Sequence, residues 1–405
     1  MKIITEMDFP QDSSDMASSS SSSMGFPQNL TDVASSSSGS MGVPDYHTCA
    51  HSRVFRGRCL VCGTKLDRSH GLPFKYIDRN LWLSHKEIAQ QRKVQSDKLL
   101  NERKLVLLLD LDHTLLHTSA MTRNQKTQEE LNSFPDLYSL EPFSGMTKLR
   151  PYVHEFLKEA SSLFELYIYT MGERHYAMRM AQFLDPENVY FNSRIIAYED
   201  YREDEKTLDL VLKKESMILI LDDTKKVWKK HTLNLIHVKK YSYFDSHERS
   251  TVSLSSLNTD EDERTGELAT ILKKLQLIHR LFFNPKSEDD LADRDVKYIL
   301  VRLTKLQGCN IFFNHIFPPN FDPENSRLWM MAEELGAICS KELCASVTHV
   351  VTHLDTRTKE SQKGKKFWVN PRWLRACYHA LGREAEEEFP IPVPKPKVKD
   401  KKLRR

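Results

Sequence analysis

Three short apolar runs, each ending in polar residues, mark the middle of the chain. They are residues 105–109, 166–169 and 217–221. The first is followed by Asp110, the second by Thr170 and the third by Asp222. Uninterrupted apolar runs of this kind are typical of strands that are buried on both faces of a parallel sheet. Because stretches of helical periodicity separate them, the pattern predicts an α/β domain over residues 100–245.

A second alternation of strand-like and helix-like segments predicts a small α/β unit over residues 301–392. The charged stretch between the two units, residues 246–300, has apolar residues at helical spacing and predicts a helical connector. Residues 1–45 are rich in serine, and residues 393–405 are basic. Neither end has the apolar residues that a core requires, so both are predicted to be disordered tails.

Composition and charge narrow the classes of function. The 405 residues include 59 Lys and Arg against 56 Asp and Glu, which gives a formal net charge of +3. This balance disfavours a general nucleic-acid coat protein, and we expect no direct nucleic-acid binding. No apolar run reaches the roughly 18–20 residues that a membrane helix needs, so we expect no membrane partner. Seven cysteines are too few for a disulfide scaffold and indicate a reducing compartment.

Carboxylates, a hydroxyl and an amine follow the predicted strands. They are Asp110 and Asp112 after the first strand, Thr170 after the second, Lys206 in the stretch beyond it, and Asp222 and Asp223 after the third. Ligands of open α/β sheets bind at this edge. Neighbouring carboxylates repel each other unless a cation lies between them, and Mg²⁺ prefers oxygen ligands. An isolated pair of aspartates would favour a turn cap, whereas the whole set fits phosphoryl transfer.

The segment Asp110-Leu-Asp112-His-Thr114 resembles the Asp-x-Asp-x-Thr signature of the haloacid-dehalogenase superfamily of phosphatases. More narrowly, the chain resembles the FCP/SCP type, which dephosphorylates the C-terminal domain of RNA polymerase II. Further blocks of similarity lie at residues 149–151, 169–172 and 221–228. The resemblance implies a haloacid-dehalogenase-like Rossmannoid parallel sheet. The interval 115–148 is too short for the large cap domain of other branches, which implies an open site that suits a phosphorylated peptide.

The same resemblance implies a role for each catalytic residue. Asp110 would attack phosphorus and become an aspartyl phosphate. Asp112 would protonate the leaving serine oxygen and then deprotonate the water that hydrolyses the intermediate. Thr170 would donate a hydrogen bond to a phosphoryl oxygen, and Lys206 would neutralise the transferring group.

It also implies a magnesium site, with other divalent ions as alternatives. Asp223 would bind Mg²⁺ directly, and Asp222 would hold the ion or its water shell. Asp110 would contribute its carboxylate, and Asp112 would contribute its backbone carbonyl.

Three more residues are candidates for substrate binding. Thr114 is a member of the signature, and we expect it to stabilise the loop as well. Arg150 would contact the substrate phosphate or form a surface ion pair. Trp228 would line the substrate groove or lie in the core. The sequence leaves these alternatives open.

The unit over residues 301–392 resembles a BRCT domain, whose hallmarks are a glycine after the first helix and a tryptophan in the last. Here they are Gly336, which fits a helix C-cap, and Trp373. Many BRCT domains bind phosphoserine through a Ser or Thr after the first strand and a later Lys. Asn314 stands where that Ser is expected, and Lys359 is the candidate Lys. The departure at Asn314 favours general docking of a protein partner.

The N-terminal cysteines form a separate pattern. Cys49, His51, Cys59 and Cys62 are four candidate ligands for a structural Zn²⁺, with a glycine that permits a tight turn after the last. The spacing is equally compatible with reduced, unliganded cysteines, and His47 competes with His51. The other four cysteines are predicted to be buried core thiols, and they are Cys309, Cys339, Cys344 and Cys377.

Together these features predict a nuclear, Mg²⁺-dependent protein-serine phosphatase with a BRCT domain that docks a partner. The predicted substrate is the phosphorylated heptad-repeat C-terminal domain of RNA polymerase II. The serine-rich head and these sequence blocks are most similar to the plant C-terminal-domain phosphatase-like proteins. One alternative is the same chemistry on another nuclear phosphoprotein, and a second is a catalytically silent phosphopeptide-binding scaffold. The complete set of acidic, hydroxyl and amine residues disfavours the scaffold.

Overall fold

The computed structural model of the chain describes residues 49–67, 71–120, 136–140, 145–201, 204–244, 253–284, 290–354, 366–380 and 382–391. The predicted tails, residues 1–45 and 393–405, lie outside these ranges, and so does Lys359. The chain divides into two compact units, Met1–Glu87 and Ile88–Arg405. In the described ranges, no helix has the length and apolar character needed to cross a lipid bilayer.

A small antiparallel sheet forms the described part of the first unit. Its strands are β1 Arg53–Phe55, β2 Arg58–Cys59, β3 Leu72–Pro73 and β4 Leu81–Leu83, in the spatial order β2-β1-β4-β3. The tight turn between β1 and β2 places Gly57 at a φ of 75°, which glycine adopts without strain because it has no Cβ. Val54, Phe74 and Leu83 are buried in this unit.

Helix α1 His85–Asn101 leads into the second unit, whose first part contains a parallel sheet and an antiparallel one. The elements are β5 Leu105–Leu109, β6 Leu116–Ala120, β7 Leu137–Ser139, β8 Gly145–Leu149, α2 Val153–Leu163, β9 Phe164–Tyr169, α3 Arg174–Leu184, β10 Ile195–Ile196, α4 Tyr198–Tyr201, β11 Ile218–Asp222 and β12 Leu235–His237. Short 3₁₀ turns, among them Leu208–Leu210 and Lys225–Val227, connect several of them.

The parallel sheet has the order β10-β9-β5-β11-β12, so the strands from the three apolar runs are direct neighbours. Every residue of β5 is fully buried, which explains why this strand has no polar alternation. Leu109 pairs with Ile168 on one side and with Leu221 on the other. The register therefore brings the carboxyl ends of all three strands to one edge, as the sequence predicted.

The interval between β5 and α2 forms a three-stranded antiparallel sheet in the order β6-β8-β7. Most of the described residues between 116 and 149, namely 116–120, 137–139 and 145–149, lie in its three strands. Thr147 on β8 is buried, and its Oγ1 lies 2.8 Å from Thr118 Oγ1 on β6. This small sheet stands next to the strand ends and contributes side chains to the site described below.

The predicted connector over residues 246–300 does not stand apart from the first domain. Helix α5 Glu267–Phe282 packs on α2 and buries an apolar face that includes Leu272 and Leu275. Before it, Asp260 pairs with the buried Lys148 of β8, Nζ to Oδ2 2.7 Å. The boundary predicted at residue 245 is therefore wrong, because apolar contacts and ion pairs continue beyond it.

The remaining elements form a second, four-stranded parallel sheet with helices. They are α6 Val296–Arg302, β13 Asn310–Asn314, α7 Arg327–Glu334, β14 Ile338–Ser340, β15 His349–Thr352, β16 Phe367–Val369 and α8 Pro371–His379, with the sheet order β14-β13-β15-β16. Gly336 follows α7 at a φ of 85°, and a Cβ there would lie 1.7 Å from the Leu303 carbonyl oxygen. Trp373 is fully buried in α8. Both hallmark residues thus have the roles predicted for them.

The four cysteines of this C-terminal domain differ in exposure. Cys309 and Cys377 are buried, as predicted. Cys339 is half-buried and Cys344 is exposed, so the prediction of a core thiol is wrong for Cys344. The reason is local: Cys344 lies between β14 and β15, outside the strands whose side chains make the core.

Candidate active site

An ion-pair cluster occupies the carboxyl edge of the first parallel sheet. The ammonium of Lys206 donates to Asp110 Oδ1 over 2.7 Å and to Asp222 Oδ2 over 2.6 Å. Asp110 follows β5 and Asp222 ends β11, so two neighbouring strands hold the carboxylates on either side of the amine. Burial alone disfavours the ammonium, but the attraction of the two carboxylates outweighs this and raises the pKa of Lys206. Lys206 therefore remains a cation.

Aromatic side chains and backbone bonds fix the position of Lys206. Its N–H donates to the Val227 carbonyl over 2.8 Å. The hydroxyl of Tyr169 donates to the Thr207 carbonyl and accepts from the Thr207 N–H, each over 3.0 Å. The ammonium also lies 5.8 Å from the Tyr169 ring centroid and 5.7 Å from that of Trp228, within cation–π range. This role of Tyr169 has no signal in the sequence, because an aromatic residue in an apolar strand indicates only a core position.

Three carboxylates form the part of the site that could hold a metal ion. Asp110, Asp222 and Asp223 each offer an oxygen, and these oxygens lie within 4.8 Å of one another. Burial and repulsion from Asp222 raise the pKa of Asp110 and also that of Asp223. Oxygen donors and unbalanced negative charge are what a hard divalent cation requires, so the residues fit such an ion.

Asp222 differs from the other two because it accepts three hydrogen bonds from the protein, which engage both of its oxygens. Oδ1 accepts from the Thr224 N–H over 2.7 Å. Oδ2 accepts from the Trp228 indole N–H over 2.8 Å as well as from Lys206. Asp222 therefore holds Lys206 in place, and Asp110 and Asp223 have more capacity for a metal ion.

Asp112 lies beside Tyr176, whose role no sequence pattern predicts. The hydroxyl of Tyr176, on α3, donates to Asp112 Oδ1 over 2.6 Å and lies 2.7 Å from Thr118 Oγ1. Partial burial raises the pKa of Asp112, while the hydrogen bond from Tyr176 opposes that rise. The sequence gives little sign of this contact, because a tyrosine in the first turn of a helix has no pattern that distinguishes a functional residue from a structural one.

Thr170 is the hydroxyl at the end of β9. Its Oγ1 accepts a hydrogen bond from the Gly172 N–H over 2.9 Å, so the hydroxyl hydrogen can be donated elsewhere. A Cβ on Gly172 would lie 2.8 Å from Tyr176 Cδ1 and 3.3 Å from Thr170 Oγ1. Glycine at this position therefore keeps the space that both neighbouring side chains occupy.

The three residues predicted for substrate binding are all buried. Thr114 accepts a hydrogen bond from the Asp223 N–H over 3.2 Å, which stabilises the loop as expected. Of the two alternatives for Arg150, the structure favours an ion pair over contact with substrate phosphate, because its guanidinium donates to both oxygens of Glu261 and to the Thr114 carbonyl. Of the two alternatives for Trp228, the structure favours a core position over the substrate groove, because its side chain is fully buried and its indole N–H donates to Asp222.

The N-terminal ligands are brought together elsewhere in the chain. One ligand atom from each of Cys49, His51, Cys59 and Cys62 lies within 4.8 Å of the others. This cluster belongs to the first compact unit, and the carboxylate site belongs to the second.

Similarity to known proteins covers both parallel sheets of the second unit. The family model for NLI interacting factor-like phosphatases matches residues 105–265, and that for the BRCA1 C-terminus (BRCT) domain matches residues 302–378. The two matches fall on the two α/β domains predicted from the sequence.

Individual proteins match over longer stretches. RNA polymerase II C-terminal domain phosphatase-like 4 of Arabidopsis thaliana is 43% identical over 366 residues, which are 85% of this chain and 82% of the relative. Phosphatase-like 3 of the same plant is 35% identical over 74% of this chain, which spans only 26% of that longer protein. A solved structure of Fcp1, described as an essential RNA polymerase II CTD phosphatase, matches with a TM-score of 0.45 at 23% identity, covering 74% of this chain and 99% of that one.

Proposed function

The chain belongs to the RNA polymerase II C-terminal-domain phosphatase family, and we propose that it hydrolyses phosphoserine in the heptad-repeat C-terminal domain of RNA polymerase II. Membership of this family makes the chain a protein phosphatase. The observation that carries the proposal is the cluster in which Lys206 joins Asp110 to Asp222 beside Asp112. It combines a carboxylate nucleophile, a fixed cation and a carboxyl group suited to proton transfer.

The first step of the proposed reaction forms an aspartyl phosphate. A carboxylate oxygen of Asp110 attacks phosphorus, and the bond from phosphorus to the serine oxygen breaks. Asp112 gives its proton to that leaving oxygen, so serine departs as a neutral hydroxyl. The raised pKa of Asp112 favours the protonated form that this step needs.

The second step releases phosphate. Asp112, now ionised, accepts a proton from a water molecule, and the resulting hydroxide attacks phosphorus. The bond between phosphorus and the Asp110 oxygen breaks, which restores the carboxylate. Asp112 regains its proton in this step, so one turnover leaves both residues as they began.

Lys206 and Thr170 act on the phosphoryl oxygens in both steps. Lys206 supplies a positive charge that is already in place and needs no rearrangement as charge develops. Thr170 donates its hydroxyl hydrogen, because the Gly172 N–H occupies its oxygen. Lys206 and Thr170 are both buried, which strengthens their electrostatic interaction with the transition state.

We propose Mg²⁺ as the metal, held by the carboxylates of Asp110 and Asp223 and by the backbone carbonyl of Asp112. When bound, it would offset the charge of the carboxylates and of the incoming phosphate. Asp222 would act by holding Lys206, since its oxygens already accept three hydrogen bonds.

The test is phosphate release from heptad peptides that each carry one phosphoserine. Wild type would be compared with Asp110→Asn, in Mg²⁺ and in chelator. Release that requires both Asp110 and the metal supports the proposal, and the preferred serine emerges from the same series. Release from an aryl phosphate but from no heptad peptide would favour another nuclear phosphoprotein as substrate. Release from neither would favour the silent scaffold.

We propose that the protein acts in the nucleus. A fluorescent fusion of the full chain tests the location, and exclusion from nuclei would contradict it.

We also propose that the BRCT domain is a docking surface for a protein partner. Asn314 ends β13 opposite Thr352, at the carboxyl edge of the four-stranded parallel sheet. Asn314 stands where many phosphoserine-binding BRCT domains have Ser or Thr, so the proposed partner is a protein surface.

A further inference from the structure

We propose that Cys49, His51, Cys59 and Cys62 bind one structural zinc ion in the first compact unit, separate from the hydrolytic site. Three thiolates and one imidazole are typical ligands of structural zinc, which is four-coordinate and tetrahedral. All four positions would be filled by the protein, so the ion would have no open position for substrate or water. Its role would be to hold the fold of residues 49–83.

The distances between the ligand atoms match a tetrahedral site. Cys49 Sγ and Cys59 Sγ are 3.7 Å apart, and Cys62 Sγ is 3.3 Å from His51 Nδ1. With zinc bonds of about 2.3 Å to sulfur and about 2.0 Å to nitrogen, tetrahedral geometry sets these separations at about 3.8 and 3.5 Å. A disulfide would need sulfurs only about 2.05 Å apart. The cluster therefore has the dimensions of a metal site and not of a cystine bridge.

The backbone around Cys59 and Cys62 has the form of a metal-binding turn. The Val61 N–H donates to Cys59 Sγ over 3.4 Å, which favours the thiolate. The Gly63 N–H donates to the Cys59 carbonyl over 3.0 Å, and Gly63 has a φ of 73°. These bonds close a tight loop that turns both sulfurs toward one point. The intervening Leu60 and Val61 are exposed, so the turn is not held by apolar packing.

The need for a metal follows from the size of the unit. The described part runs from Cys49 to Glu87, a length at which folds usually depend on a metal, a disulfide or oligomerisation. Its strands are two or three residues long, and all cysteines of the chain are free thiols. A zinc ion would tie the segment before β1 to the turn after β2, which joins both ends of the hairpin.

Elemental analysis of the purified full-length chain, expressed with added zinc, is the first test. We expect about one zinc per chain in wild type and a loss of most of it in the double variant Cys49→Ser, Cys62→Ser. The matched control is Cys344→Ser, which removes an exposed thiol outside the cluster and should leave the zinc content unchanged. Wild type without zinc, or a double variant with unchanged zinc, would overturn the proposal.

Cobalt substitution provides a second readout that does not depend on activity. Co²⁺ bound to thiolates gives intense charge-transfer absorption, which the carboxylate site cannot produce because it has no sulfur ligand. If the double variant fails to fold, His51→Cys keeps four ligands and should retain one metal per chain with a stronger thiolate band. A cobalt spectrum without thiolate absorption in folded wild type, or loss of metal from His51→Cys while the chain stays folded, would contradict the site.

Discussion

Replacing Tyr176 with phenylalanine should move the pH dependence of catalysis toward higher pH. The Tyr176 hydroxyl donates to Asp112 Oδ1 over 2.6 Å and stabilises the ionised carboxylate. Partial burial raises the pKa of Asp112, and this hydrogen bond opposes the rise. The variant keeps the aromatic ring but lacks the hydroxyl that donates to Asp112, so the pKa of Asp112 should rise further. In the proposed mechanism Asp112 holds a proton when serine leaves, so activity should fall as pH rises through its pKa.

The size of the effect follows from the strength of the lost bond. A hydrogen bond to a charged group contributes about 1.5–3 kcal/mol. Since about 1.4 kcal/mol corresponds to one pH unit, the alkaline limb of kcat/KM should move upward by about one to two pH units. Thr118 keeps a partner in the variant because its Oγ1 lies 2.8 Å from Thr147 Oγ1. The perturbation is therefore concentrated on Asp112.

The assay is kcat/KM against pH for a phosphoserine peptide at a fixed, saturating Mg²⁺ concentration. The matched control is Tyr201→Phe. In wild type the Tyr201 hydroxyl donates to the Thr170 carbonyl over 3.2 Å. This control removes a tyrosine hydroxyl near the site without touching Asp112, and its alkaline limb should stay where it is in wild type. An unmoved limb in Tyr176→Phe, or a limb moved to lower pH, would refute the role of the hydrogen bond.

Three further substitutions separate catalytic from structural roles. Lys206→Met leaves the buried carboxylates without their ammonium, so we expect the unfolding free energy to fall by about 3–5 kcal/mol and turnover to be lost. Unchanged stability in denaturant would contradict this expectation. Trp228→Phe removes the indole N–H from Asp222 and should cost about 1.5–3 kcal/mol in the same denaturation measurement, whereas an unchanged midpoint would show that this bond is not needed. Arg150→Met should destabilise the fold by about 3 kcal/mol, because it strands the carboxylate of Glu261, and should leave the KM for a phosphopeptide unchanged. A raised KM at unchanged stability would restore Arg150 to substrate binding.

The predictable part of the site comes from the strands. A buried parallel strand must be apolar along its whole length, so its end is visible as the first polar residue. Asp110, Thr170 and Asp222 were located in this way, and the parallel register brings them to one edge. The same logic predicted the second sheet, where Gly336 and Trp373 have the expected backbone form and burial.

Pairing between distant residues explains what the sequence could not reveal. Arg150 is neutralised by Glu261, which lies 111 positions later in a segment interpreted as connector. The residue type of Arg150 indicates a cation, but only the fold determines whether that cation faces substrate or a carboxylate. The contact of Tyr176 with Asp112 is equally hard to predict, because helical periodicity does not show which residue a tyrosine hydroxyl will contact.

Exposure divides the candidate site into a deep layer and an outer layer. Asp110, Asp222 and Lys206 have exposed fractions of 8%, 1% and 3%, whereas Asp112 and Asp223 are half-buried. The deep layer can fix charges because its ion pairs are shielded from water. The outer residues can exchange with solvent, which is what a group must do if it gives a proton to a leaving serine and takes one from water. A cation that enters from solvent would meet Asp223 before Asp222, whose oxygens already accept protein hydrogen bonds. Burial thus distinguishes two adjacent aspartates that are chemically identical in the sequence, and the proposed function gives them different roles.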